Sequence, residues 1–277
     1  MLQRRQTPSF CIIAPTAYCE EYASQSNTHL CLAHIAKYDE QYADFYRRMS
    51  DRGDYVICDN GAFELGHSYD PAYLVELGKK VGAKALVLPD YPGQSAQKTI
   101  DAANQYAAVF KDAGFDTFFV PQSEVGDLED WVSSYVWGAT NPEIDIIGIS
   151  ILNIPNALPN IPAAYARVVM TQLLIDRDLF NFDKFHHYLG LNAAPSVEIP
   201  ALIKMNALDT CDSSNPVWCG INNIKYDTTR FDHMGLSKPY LRHVSFDEPL
   251  VRDCVFETIQ HNVDVTLDIF KNPSAYL

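Results

Sequence analysis

Six short apolar runs in this sequence each end in a polar side chain: Cys58-Asp59-Asn60, Leu88-Pro89-Asp90, Val120-Pro121-Gln122, Gly148-Ile149-Ser150, Gly190-Leu191-Asn192 and Thr210-Cys211-Asp212. Strands recurring at intervals of roughly 20 to 40 residues, with helix-like sequence between, are the mark of β/α units whose C-terminal strand ends meet at one rim. Three of the six ends carry a carboxylate.

Strands are expected at Phe10 to Pro15, Tyr55 to Cys58, Ala85 to Leu88, Thr117 to Val120, Ile144 to Ile149, His187 to Leu191 and Ala207 to Cys211. Each is short, continuous in apolar residues and bounded by turn formers, as parallel strands buried on both faces are. Barrel closure needs an eighth. Trp218 to Ile224 and Leu241 to Phe246 compete for it, and the first is preferred because it follows the seventh closely. Helical spacing fills the gaps: a long helix over Thr28 to Met49, one capped by Asp70-Pro71, then Ser95 to Ala113 closing at Gly114, Asp127 to Val136, Ala163 to Ile175, Val197 to Met205 and Pro249 to Phe270. The expected fold is α/β, a single (β/α)8 TIM-type barrel over residues 1–277 with loop insertions at Asn153 to Pro162 and Asn222 to Lys238.

With 47% hydrophobic and 20% charged residues the chain can build a large core. Its net charge of −14 argues against a general electrostatic grip on nucleic acid or an anionic membrane. Arg4-Arg5, Arg47-Arg48 and Lys79-Lys80 could serve only as local contacts, and read first as solvated faces. Seven cysteines, among them Cys11, Cys58, Cys211 and Cys254 inside apolar runs, suit reduced thiols in a cytoplasmic protein. No CxxC, CxC or HExxH occurs, so neither a metal nor any other cofactor is expected. The pair His186-His187 would point to opposite faces of a strand, a structural use. No apolar stretch reaches the roughly 20 residues of a membrane span, and Met1 to Ser9 is not followed by a secretory core.

Singly, the polar strand ends are ambiguous. Asp59-Asn60-Gly61 could be a tight turn, Asp90-Tyr91-Pro92-Gly93 another, and Asp212 an Asx turn ahead of Pro216. A barrel brings all of them to one rim. Two carboxylates there suit glycosyl transfer, one attacking or stabilising an anomeric carbon while the other moves a proton. A further carboxylate with an amide, Asp90 with Gln122, suits a planar heterocycle such as guanine.

In their order the motifs resemble those of the tRNA-guanine transglycosylases and their phage-type relatives that place 7-deazaguanine bases in DNA. Asp59-Asn60-Gly61-Ala62-Phe63 is similar to the family's Asp-Ser-Gly-Gly-Phe/Tyr, Asp90-Tyr91-Pro92 to its base-reading Asp, and Pro121-Gln122-Ser123 to its Gln-Gly segment. Ile147-Gly148-Ile149-Ser150 resembles the strand end whose backbone meets the base, and His187-Tyr188-Leu189-Gly190 the Arg-Tyr-Leu-Met-Gly segment. Asp209-Thr210-Cys211-Asp212-Ser213 resembles Asp-x-x-Asp-Cys/Ser. The likeness runs from about Tyr55 to about Ser214, and three features depart from it: no Cys-x-Cys-x-x-Cys zinc site, Asn60 in place of Ser, and a shorter chain.

The resemblance implies a pentosyltransferase lacking the zinc subdomain. Asp212 would attack C1′ and release guanine, and Asp59 would deprotonate an incoming 7-deazaguanine base. Asp90, Gln122 and Gly148 would read the base, Phe63 and Leu189 would cover its faces, and Asn60 would belong to the same substrate-binding motif. Asp209 rivals Asp212 as nucleophile. DNA is preferred to tRNA as acceptor, and the oligomeric state stays open. Two alternatives stand beside this reading: another metal-independent barrel hydrolase or lyase, and a non-catalytic nucleobase-binding protein.

Overall fold

Strands of three to five residues cannot persist alone, and these satisfy their backbones by pairing side by side. In the computed structural model, which describes residues 7–191, 194–226 and 253–277, eight of them form one all-parallel sheet. They are β1 (Ser9–Ile12), β2 (Thr28–Cys31), β3 (Tyr55–Cys58), β4 (Ala85–Val87), β5 (Asp116–Phe119), β6 (Ile146–Ser150), β7 (Phe185–Leu189) and β8 (Thr210–Ser213). The order β1-β8-β7-β6-β5-β4-β3-β2 follows the chain around a nearly closed (β/α)8 barrel. At the remaining junction β1 and β2 share no ladder. There Ser9 Oγ donates to Thr28 Oγ1 (3.0 Å) and Ser26 Oγ donates to the Phe10 carbonyl, so hydroxyls bridge the seam.

Helices cover the outside. α1 (Thr16–Cys19) follows β1, α2 (Ala33–Ala36) and α3 (Glu40–Asp51) follow β2, and α4 (Ala62–Leu65) and α5 (Pro71–Val81) follow β3. Next come α6 (Ala96–Asp112), α7 (Leu128–Thr140), α8 (Asn153–Ala157) with α9 (Ala163–Asp176), and α10 (Pro195–Lys204). After β8, α11 (Asn215–Ile221) packs against α12 (Asp253–Lys271). Asp70 caps α5 as its sequence indicates, accepting from the N–H groups of Ala72 and Tyr73. None of the described helices is long and apolar enough to cross a membrane.

Two expectations are corrected. The segment read as one helix over Thr28 to Met49 opens with β2, and that is the eighth strand of the barrel. Thr28–Cys31 runs into Leu32 and α2 without a Gly or Pro, so the apolar spacing of the helix masks the strand before it. Trp218 to Ile224, proposed as the closing strand, lies instead in α11 and the turn after it, with Pro216 in the helix's first turn. Leu241 to Phe246 lies outside the described residues.

Residues two apart share a face of a strand, and this alternation sorts the barrel interior from its helix-covered surface. On β7 the neighbours His186 and His187 do point opposite ways. His186 Nε2 lies 2.9 Å from the Tyr135 hydroxyl of α7, whereas His187 turns inward, edge to face with Phe118 at 5.4 Å. Gly148 is the β6 partner of His187. A Cβ on it would stand 2.4 Å from Phe118 Cε2 and 3.0 Å from Val120 Cγ2, so the ring of Phe118 occupies the space a side chain would need. Gly148→Ala is therefore expected to cost about 1 to 3 kcal/mol through overpacking. Urea unfolding measures this, and Phe118→Leu should recover part of the loss.

Candidate functional site

Strand alternation carries three carboxylates to the C-terminal rim. Asp59 follows β3, its N–H donating to the Cys31 carbonyl of β2 (2.9 Å). Its Oδ2 accepts from the Gly61 N–H (2.9 Å), and Asn60 Oδ1 accepts from the Ala62 N–H (2.8 Å). The chain thereby turns from strand to α4 through Gly61, whose φ of +78° is one a glycine adopts without strain. Burial, Glu64 of α4 and, more weakly, Asp212 raise the Asp59 carboxyl to about 7, against the N–H bonds of Gly61 and Asn60 that favour its anion.

Asn60 is buried and fully engaged. Its Nδ2 donates to the Leu88 carbonyl (2.8 Å) and to Asp90 Oδ1 (2.7 Å), while its Oδ1 starts α4. A serine could not supply both donors and that acceptor. Asp90 also accepts from Gln122 Nε2 at its other oxygen. Burial first, then Asp59, push the Asp90 carboxyl up to about 6, with Asn60 and Gln122 opposing. Gln122 has no solvent exposure, and its Oε1 has no hydrogen-bond partner. That orphaned acceptor beside Asp90 is the strongest sign of a ligand in the described structure, since a buried carbonyl oxygen is costly to leave unpaired.

Asp212 lies on the inward face of β8. Its Oδ1 accepts from His187 Nε2 (2.9 Å) and from the Gly190 N–H (3.0 Å). His187 Nδ1 is 2.7 Å from Thr210 Oγ1. With the threonine hydroxyl donating to Nδ1, the Nε2–H is the donor to Asp212 Oδ1. Asp209 has a different place: its Oδ2 accepts from the His186 N–H (2.8 Å) ahead of β8, at the opposite end of the strand from Asp212. It ties two strands together at the barrel floor.

The remaining expected residues are scattered. Phe63, on α4, is 64% exposed. Leu189 ends β7 half-buried, and Gly148 sits below it as a packing position. Ser150 Oγ accepts from the N–H groups of Leu152 and Asn153 in a turn, and Asn192 lies outside the described residues. Sequence reasoning missed His187, Glu64 and the buried pair of Arg167 with Glu198 behind the rim. The first stands in the segment His187-Tyr188-Leu189-Gly190 but carries no role of its own there, and the others have no signal in the pattern. Among the described residues no three His, Cys, Asp or Glu side chains gather as a metal site.

No family model and no curated protein matches the chain. Solved structures similar to it include N-acetylneuraminate lyase from Mycoplasma synoviae, at 9% identity over 96% of this chain and 98% of that one, TM-score 0.44. CdNal from Clostridium difficile, in complex with mannosamine, is 9% identical over 76% and 71%, TM-score 0.43. An HpcH/Hpal aldolase/citrate lyase family protein from Burkholderia cenocepacia J2315 is 10% identical over 75% and 88%, TM-score 0.46. The likeness is one of fold.

These findings correct the family expectation. The structures resembled include an N-acetylneuraminate lyase and an aldolase/citrate lyase family protein, and the assignments as guanine transglycosylase and pentosyltransferase are withdrawn. The motifs have a physical reason of their own. Asp59-Asn60-Gly61-Ala62 makes the Asx turns of a strand-to-helix junction, and Asp209 and Gly148 serve pairing and packing.

The raised carboxyls predict how stability varies with pH. Asp59 and Asp90 hold their protons in the fold after the unfolded chain has lost its own near pH 4, so stability falls as pH rises from about 4 to about 7. Asp59→Asn should flatten that decline in melting temperatures taken between pH 4 and 8. An unchanged slope would contradict the environment described for Asp59.

Proposed function

We propose that this protein is a metal-independent barrel hydrolase or lyase in which Asp59 gives a proton to a leaving group and Asp212 takes one from water or substrate. The reading is carried by one contrast: Asp59 holds its proton up to about pH 7, while Asp212 faces two N–H donors that suit an anion. Two carboxyl groups in unequal environments are what acid–base chemistry near neutrality requires.

The proton inventory is the same for both reaction types. In hydrolysis Asp212 accepts a proton from water as its oxygen adds to the substrate, and Asp59 protonates the departing group. In elimination Asp212 accepts a substrate proton, and Asp59 again protonates what leaves. No lysine stands at a C-terminal strand end among the described residues, which is why Schiff-base chemistry is not included.

Asp90 and the free Gln122 Oε1 make up an acceptor pair for a substrate carrying planar N–H donors, with Asn60 holding Asp90 in place. Exposed Phe63 on α4 and half-buried Leu189 at the end of β7 are the apolar side chains available to cover such a substrate, while the space at Gly148 below them is filled by the packing of Phe118. Nucleic acid is not needed as a partner for this chemistry.

A panel of N-glycosides, ureides and cyclic amides assayed in EDTA tests the proposal. Turnover should persist without divalent metal, and Asp59→Asn or Asp212→Asn should each lower kcat by about 10²- to 10⁴-fold. Activity should fall on the alkaline side near pH 7, where Asp59 loses its proton. Label from H₂¹⁸O in the product marks a hydrolase and its absence a lyase; wild-type rates in both variants would refute the assignment.

A further inference from the structure

We infer that Arg167 is a positioning residue that acts on Asp212 through a single peptide unit, an inference that rests on the acid–base role proposed for Asp212. Arg167 of α9 and Glu198 of α10 are both buried, at 1% and 0% exposure. The guanidinium meets the carboxylate in two parallel bonds, Nε to Oε1 (2.7 Å) and Nη2 to Oε2 (2.6 Å). Its other donors reach three carbonyls at the C-terminal ends of β6 and β7. Nη1 donates to Ile149 (3.2 Å) and Leu189 (2.9 Å), and Nη2 donates to Gly190 (2.7 Å).

The Leu189 carbonyl and the Gly190 N–H belong to the same peptide. Arg167 thus holds the oxygen end of that peptide while its nitrogen end donates to Asp212 Oδ1 at 3.0 Å. A cation on an amide oxygen draws electron density from the nitrogen and strengthens the N–H as a donor. The plane is fixed as well as polarised. Gly190 has a φ of +75°, and a Cβ there would stand 2.9 Å from Ile151 Cγ2. Glu198 balances the charge, so the carboxylate of Asp212 gains the polarised donor without a bare cation beside it.

A merely structural ion pair needs only to be neutral and packed. Charge neutrality leaves the choice of carbonyls open, whereas here two of the three, Leu189 and Gly190, flank the N–H that donates to Asp212. Two variants separate the roles. Arg167→Lys keeps the charge opposite Glu198 but lacks the planar fork. Arg167→Met with Glu198→Leu removes both charges and leaves neither unpaired.

The readout is the Gly190 amide, by ¹H–¹⁵N spectra and hydrogen exchange, which needs no substrate; Asp212→Asn in the otherwise wild-type chain supplies the reference shift for a lost anionic acceptor. In Arg167→Lys the Gly190 resonance should move toward that reference and exchange roughly tenfold faster, while amides in the middle of β6 and β7 keep their protection. The double variant should do the same, and where it fails to fold the lysine variant decides. With a turned-over substrate in hand, kcat should fall about tenfold in Arg167→Lys with KM unchanged. A folded Arg167→Lys protein with wild-type Gly190 shift and exchange would overturn the inference. Turnover indifferent to Asp212→Asn would instead defeat the acid–base reading, and leaves the Gly190 measurement interpretable.

Discussion

A carboxylate taken out of water must be paired, hydrogen-bonded or left protonated, and this barrel is organised around doing each of these for a different acid. Glu198 is paired with Arg167 behind the rim. Asp54, near the barrel floor, is held by His29 and Arg52, which keep its carboxyl below the usual range against the effect of burial. Asp90 takes two side-chain amides, Asp212 takes a histidine and a backbone N–H, and Asp59 keeps its proton. The acids that are fully compensated support the fold. Asp59, Asp90 and Asp212 crowd together at the strand ends, the rim proposed above as the site of chemistry.

Seven strands and most helices were legible because each strand is an apolar run closed by turn formers, and because caps such as Asp70 and Asp127 stand where their helices begin. β2 was not, since four residues of Thr-His-Leu-Cys lead directly into a helix and offer no break to detect. The rim itself was readable, and Asp59, Asp90, Gln122 and Asp212 do gather as two linked groups joined by charge interaction between Asp59 and its neighbours. What surrounds them was hidden. His187 on β7 reaches Asp212 on the neighbouring β8, and Arg167 and Glu198 come from successive helices, relations that exist only once the strands are in register.

The fate of the family resemblance has the same origin. A parallel strand that hands over to a helix needs a side-chain acceptor for the next free N–H groups and often a glycine to turn on, so Asp-Asn-Gly at such a point satisfies local geometry whatever the chemistry. Several such points in order are then a property of the barrel. Asn60 shows how far local duty extends: a residue grouped with the substrate contacts spends all its hydrogen bonds on α4, Leu88 and Asp90.

The seam between β1 and β2 gives the barrel a structural asymmetry. Elsewhere around the ring neighbouring strands are joined by ladder bonds, but between these two the hydroxyls of Ser9, Thr28 and Ser26 bridge strands that are otherwise held by packing. The ring is a split hoop, laddered over most of its circumference and bridged by side chains at one joint. Asp212 on β8 and Asp59 after β3 are each one strand removed from that joint, so the two acids stand on either side of the one junction that carries no ladder.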